Sequence, residues 1–370
     1  MKQFNHYVYL PILIISFLFT SVEVNAQLDL PRGSQMATVS QTVGNSTFYV
    51  KYSRPSVNGR EVWGKLVPYG MNNLGFGTAT ESPWRAGANE NTIVKFTSDV
   101  MVEGQALSAG KYGLHVVVKE DGGATIIFSK TTSAWGSFFY DPAEDALRVE
   151  VQTTTIPHTE QLTFNFIDVT ASSATIALDW EKKRIPFKVE TNVTENVLAY
   201  IRNELKGQKG FQRQTWEQAA AYSSNNGGDL EEALTWVDAA IAGQFFSQQD
   251  FNNTNIKAGI LNKMGKQDEA IALIDGYLPK ASILETHQIG RQYIAMGMKD
   301  KALDVFKLNA KNNPDTWPVD YGLARGYSAT GNYAKALQHL KIAHSRVPDA
   351  GNKAAIETNM AKLEKGEDIN

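Results

Sequence analysis

From Met36 to about Glu190 the chain alternates apolar and polar residues in short segments punctuated by glycine, the signature of half-buried β-strands. Tyr112, Leu114, Val116 and Val118 fall on one face of such a segment. Glu120-Asp121-Gly122-Gly123 then supplies turn residues before Thr125-Ile126-Ile127-Phe128, which predicts a β-hairpin. The alternation recurs at Phe48, Val50 and Tyr52, at Leu147, Val149 and Val151, at Leu162, Phe164 and Phe166, and at Ala174, Ile176, Leu178 and Trp180. Many short strands without intervening helices predict a sandwich or a barrel. One clean apolar face per strand favours two antiparallel sheets packed face to face, jelly-roll-like or Ig-like.

After Glu190 the period changes to that of helices, with Thr194 as the expected N-cap before Val197, Leu198, Ile201 and Leu205. Self-similarity then appears. Gly290, Tyr293, Gly297, Ala302, Phe306 and Pro314 align one by one with Ala324, Tyr327, Gly331, Ala336, Leu340 and Pro348, at a constant step of about 34 residues. The small residues let two helices approach, Tyr293, Phe306, Tyr327 and Leu340 fill the seams, and the prolines follow the second helix of each pair. Ala258, Leu261, Gly265, Ala270 and Ile274 repeat the pattern at a slightly shorter step, and Tyr222, Ala233, Val237 and Ala240 repeat it more loosely. About four hairpins result, enough for a stable stack, and Ala354 to Leu363 reads as a capping helix. The fold class expected is α+β in two domains: an antiparallel β-sandwich over 27–190, then an α-α superhelix over 191–370.

The first residues change the picture of where such a chain works. Lys2, an apolar run around Ile12 to Phe19, and Val24-Asn25-Ala26 before Gln27 form the order of a secretory signal peptide, with cleavage expected after Ala26. The run is short of the roughly 20 residues of a membrane-spanning helix. No second apolar span follows, so no membrane span is expected in the mature chain, and a periplasmic or secreted location is. With 36 basic and 39 acidic residues the chain lacks the footprint of a nucleic-acid binder. It contains no cysteine, which removes disulfides, thiol catalysis and lipid attachment at cysteine.

Candidate chemistry concentrates between Tyr52 and Thr92, where loops carry Arg54-Pro55, Asn58-Gly59-Arg60, Trp63-Gly64, Pro68-Tyr69-Gly70 and Trp84-Arg85-Ala86-Gly87-Ala88-Asn89-Glu90-Asn91-Thr92. Two readings of this cluster follow. In one, Arg85 and Glu90 clasp each other across the Gly87 bend and are structural. In the other, Arg54, Arg60, Arg85, Asn89 and Glu90 ring an opening flanked by Trp63, Trp84 or Trp135 and take a glycan or a small anion. His115 could line a groove beside the cluster, although a lone strand histidine is more often simply hydrogen-bonded. No Gly-x-Ser-x-Gly, His-Glu-x-x-His or phosphate-loop string occurs, and glycines 70, 75 and 77 lack the lysine a phosphate cradle needs. The six histidines are scattered, so neither a metal site nor a cofactor is expected. Asp141-Pro142-Ala143-Glu144 reads as a turn or short helix start.

Arg54-Pro55, Gly59-Arg60, the phrase from Trp84 to Thr92, Ala109-Gly110-Lys111-Tyr112 and Trp135-Gly136 resemble the hallmarks of the family called domain of unknown function 2911, over about residues 31 to 189. That resemblance implies an all-β domain in an exported chain and carries no activity. The repeats, over about residues 211 to 348, resemble the tetratricopeptide-repeat (TPR) superfamily, which implies a scaffold for a protein partner; the alternative is a spacer packed on the β domain. The function expected is an exported adaptor with a protein partner on the repeats and a second contact or small-ligand surface on the β domain. Its rival is a carbohydrate- or anion-binding module, or an uncharacterised hydrolase with distant paired carboxylates, acting through the Arg/Trp cluster.

Overall fold

The computed structural model describes residues 30–370; the expected signal peptide and its cleavage point lie outside the described residues. Ten strands come first: β1 (Gln35–Val43), β2 (Ser46–Arg54), β3 (Thr92–Phe96), β4 (Val100–Val102), β5 (Gln105–Leu107), β6 (Gly110–Val118), β7 (Gly123–Ser129), β8 (Asp145–Gln152), β9 (Thr154–Ile167) and β10 (Ser173–Glu190). They form two antiparallel sheets, ordered β1-β2-β3-β6-β7-β8 and β5-β4-β10-β9. The alternation read in the sequence is the reason. Phe48, Val50, Leu114, Val116, Ile126 and Phe128 from the first sheet share one core with Leu162, Phe164, Ile176, Leu178 and Trp180 from the second. This strand order establishes a pair of antiparallel sheets and goes no further toward a jelly-roll-like or Ig-like subtype. The hairpin expected across residues 120–123 is present as β6 and β7 in register from Val118 opposite Ala124. Asp141 caps a single turn of 3-10 helix at Pro142–Glu144, as its sequence predicts.

Strand β10 is long because it changes face midway. Its inward residues are even-numbered through Trp180, then odd-numbered at Ile185, Phe187 and Val189. The register slips between Asp179 and Lys183, where Glu181 adopts a left-handed φ of 54°. The residues in excess at this slip lie on β9, so it is the left-handed turn at Glu181 that turns the later side chains of β10 over. Arg184 closes this turn with two hydrogen bonds to the Asp179 carboxylate, both 2.7 Å.

Helices fill the rest: α1 (Val193–Glu204), α2 (Arg213–Asn225), α3 (Leu230–Ile241), α4 (Phe251–Lys263), α5 (Gln267–Tyr277), α6 (Ile283–Ala295), α7 (Lys299–Asn312), α8 (Trp317–Ala329), α9 (Tyr333–Arg346) and α10 (Ala350–Glu364). The N-cap of α1 is Asn192, which accepts from Glu195 N at 3.1 Å, and not Thr194, whose hydroxyl instead donates to Asn226 O. Asparagine caps as well as threonine does, and two residues earlier it leaves Thr194 inside the first turn. Helices α2 to α9 pair into hairpins, and α10 packs on α9. Within hairpins the turn is made at Gly265, Gly297 and Gly331, each at φ near 77–79°, where a left-handed residue lets the chain leave one helix for the next. Tyr293, Ala302, Phe306, Ala324, Ala336 and Leu340 are fully buried, and Tyr327 packs against them from a partly exposed position. Gly290 lies directly under the Phe306 ring.

The β part and the helices meet without slack. Gly44, at φ 60° in the two-residue turn between β1 and β2, leaves room for Val193, whose methyl groups would lie 2.6 and 2.8 Å from any Cβ placed there. Asn196 of α1 donates to Thr191 Oγ1 at 2.6 Å and to Ser46 Oγ at 3.2 Å, and Ser46 also meets Ser98.

Candidate functional site

The segment from Trp84 to Thr92 is held by its own backbone. Trp84 exchanges both main-chain hydrogen bonds with Val116 of β6, and Thr92 Oγ1 donates to the Ala86 carbonyl at 2.9 Å. Ala86 and Asn89 take left-handed φ values of 53° and 59°, which turn the chain sharply twice in four residues. Left-handed backbone is ordinary for asparagine and costly for alanine, so a buried Ala86 in that conformation marks a segment fixed by its surroundings.

Those two turns decide the pairing. The expected Arg85–Glu90 clasp does not form. Arg85 Nη1 donates to the Asn89 carbonyl at 2.7 Å, while the Glu90 carboxylate faces away and accepts from Arg32 Nη1 at 2.5 Å. Burial pushes the Arg85 guanidinium below its ordinary pKa, with no carboxylate acting in the other direction. Its Cζ lies over the Phe138 ring, 5.3 Å from the centroid. On another side it meets the backbone of Gly136, where a Cβ would sit 2.4 Å from Cζ.

The expected ring of residues separates into three groups. Arg60, Trp84, Arg85 and Asn89 line one cavity of about 410 Å3, together with Ser137 and Trp180. Glu90 and Trp135 line another of about 230 Å3, where Arg32 stacks over the exposed Trp135 ring. Arg54, Trp63 and His115 are committed elsewhere. Arg54 bonds Leu162 O and Thr163 Oγ1, fastening β2 to β9, and Trp63 packs edge-on to Trp84 and Trp180. Arg60 reaches the larger cavity with its Nε and Nη2 bound to the Val57 and Ser56 carbonyls.

His115 is buried beneath the cavity wall. Asn91 Nδ2 donates to its Nε2 at 3.2 Å, which leaves the ring proton on Nδ1 to be donated to Ser137 Oγ at 3.0 Å. In that tautomer the imidazole gives its proton toward the serine, so the pair is not an activated nucleophile. Sequence reasoning missed Ser137, although it directly follows the Trp135-Gly136 phrase; Ser34, Asn72 and Ser82, which also line the larger cavity, carried no local signal.

Burial, with the Arg85 charge adding to it, lowers the His115 pKa to about 4. A depressed base is neutral in the folded chain while its unfolded counterpart still takes a proton. Stability is therefore full above the unfolded value near 6.5 and is lost as pH falls toward 4. Between pH 7 and pH 5 the expected loss from this group is about 2 kcal/mol. His287, lowered to about 4 by burial and by Arg325, adds a change of the same sign in the helical part. Urea unfolding of His115→Gln should show a visibly shallower pH dependence than the parent; an unchanged slope would refute the assignment.

Residues 34–189 match the model of a family described as protein of unknown function DUF2911, nearly the span on which the resemblance was read. No curated protein matches the chain. Solved structures match the helical part. YrrB, described as a TPR protein with an unusual peptide-binding site, is 18% identical, with 45% of this chain and 84% of its own covered at a TM-score of 0.30. The C-terminal part of a TPR repeat-containing protein from Cytophaga hutchinsonii is 14% identical over 46% of this chain and 67% of its own, at 0.35. TPR-like repeats of a kinesin light chain from Podosopora anserina are 16% identical over 41% and 85%, at 0.31.

Proposed function

We propose that this chain is an exported adaptor in two domains, whose helical array docks a protein partner while the β domain holds a small ligand. One observation carries the first half. Phe245, 80% exposed, and Phe211, 64% exposed, lie with ring centroids 6.1 Å apart, and Phe246 and Trp216 stack behind them. Open aromatic rings in contact with one another lose stabilisation to water that a partner's surface would recover, and aromatic anchors dominate protein interfaces. A second, polar surface supports the reading. Gln288, Arg291, Gln292 and Ala295 of α6 line an open depression of about 320 Å3, with Gln292 Oε1 buried and unpartnered.

Affinity capture from envelope extract, with mass spectrometry of what is retained, tests this. The full mature chain should hold a defined protein that Phe211→Ser/Phe245→Ser loses, while its unfolding midpoint moves little because both rings are already exposed. Identical captured sets from the two proteins would sink the docking surface. Export rests on the N-terminal pattern around Ile12 to Ala26, and protein recovered from the envelope should begin at Gln27. Recovery only with Met1 in place would remove export. Among the described residues no helix is long and apolar enough to cross a membrane.

The second half rests on the larger cavity, whose volume of about 410 Å3 lies within the range of about 300–1,000 Å3 for ligand sites. A glycan and an anion are both compatible with tryptophan faces beside arginine donors. Among the described residues no carboxylate lines this cavity, and the His115 proton points toward Ser137, which favours binding over hydrolysis.

A further inference from the structure

The geometry points to a carboxylate on a compact apolar body as the ligand of the cavity lined by Arg85 and Trp84, with the Arg85 guanidinium as its anchor. This rests on the small-ligand reading of that cavity and narrows it. Three observations meet at one side chain. First, Arg85 has one hydrogen bond, from Nη1 to the Asn89 carbonyl, and no described residue accepts from its Nε or Nη2. Those two nitrogens form the edge of the guanidinium fork that takes both oxygens of a carboxylate. Second, the fork is immobilised: Phe138 lies under it, the Gly136 backbone presses on it and Asn89 fixes one corner. A donor held in place before binding loses little freedom on binding. Third, the charge is uncompensated. Among the described residues no acidic side chain lines the cavity, Glu90 is turned to Arg32, and the histidine beneath is neutral near pH 7.

The rest of the lining selects the body of the ligand. Pro55, Leu66, Leu74, Pro83, Trp84 and Trp180 supply apolar surface around the single free fork. The other arginine, Arg60, spends its Nε and Nη2 on main-chain carbonyls. A dianionic phosphate would need more donors than one fork offers, and a sugar would leave the half-buried charge unanswered. A monoanion with a flat or branched apolar part satisfies both the fork and the walls.

Calorimetric titration of the full mature chain at pH 7 tests this with phenylacetate, hexanoate, phenylacetamide, inorganic phosphate and N-acetylglucosamine as probes. At least one of the two carboxylates should bind saturably, and phenylacetamide, which has the same shape without the charge, should bind about 10-fold or more weaker than phenylacetate. Arg85→Met should abolish carboxylate binding. Arg85→Lys, which keeps the charge and loses the fork, should weaken it about 10-fold, and retains a test should the methionine variant not fold. Amide binding as tight as the acid, or phosphate or the sugar binding tighter, would overturn the carboxylate and leave a ligand cavity standing. Carboxylate binding undiminished in Arg85→Lys and Arg85→Met would overturn the anchor. If none of the five probes binds, both the carboxylate and the small-ligand reading fall.

Discussion

Phe306→Ala is expected to cost about 3–5 kcal/mol and to divide the helical array into two separately melting parts. The ring is fully buried and lies among three glycines: a Cβ added at Gly290 of α6 would sit 2.5 Å from it, and at Gly322 and Gly326 of α8, 2.7 and 2.9 Å. One side chain therefore fills space that three neighbours vacate. Truncating it leaves a void that those neighbours, having no side chains, cannot reach across to close. The hairpin α6/α7 loses its seam with α8, and coupling in a stacked array passes only between neighbours. Chemical unfolding followed by far-ultraviolet circular dichroism should show a second transition where the parent shows one. A single transition displaced by less than about 1 kcal/mol would mean that the helices close over the gap.

Trp180→Ala should have a comparable effect on the β part, about 3–5 kcal/mol in denaturant unfolding. Trp180 is 1% exposed, stacked on Trp84 at 5.9 Å and 16°, with Trp63 edge-on to both. It stands immediately before the left-handed turn in β10, so its loss also removes the packing that pins the residue where the strand changes face. Trp180→Phe is the informative companion. The Trp180 Nε1 is buried without an acceptor, so phenylalanine gives up ring area but no hydrogen bond, and the cost should fall to well under half that of alanine. Equal costs for the two variants would show that the indole nitrogen has a partner after all.

How much of this could be read beforehand depends on where the information lies. Strands β2, β6, β7 and β8, with the Leu162–Phe166 stretch of β9 and the Ala174–Trp180 stretch of β10, were legible because each shows the core an unbroken apolar face; the polar first half of β9 and the second half of β10, beyond its change of face, were not. Strand β1 was not, since Gln35–Val43 is an edge strand of small and polar residues, and β4 and β5 are three residues each, too short to show a period. The repeat was legible through compensation: where one hairpin sets Gly290 against Phe306, the next sets Ala324 against Leu340, a smaller ring-for-chain exchange balanced by one methyl group. At the cavity, residue types were legible and pairings were not. A spacing of five between Arg85 and Glu90 looks like a clasp until Ala86 and Asn89 turn left-handed. Arg32, which takes Glu90, lies 58 residues away in the chain, beyond any local pattern. Ser137 enters the site by tertiary folding alone.

The junction between strand and helix governs where a protease can enter. Connections between domains are the usual sites of nicking, but here Val193 is seated over Gly44, and Thr191 and Asn196 are bound to Ser46. The backbone at 190–193 cannot be drawn out into an enzyme's cleft without unseating them. The exposed stretch from 73 to 78 can, and limited digestion should open the chain there, inside the β part, before it separates the two halves.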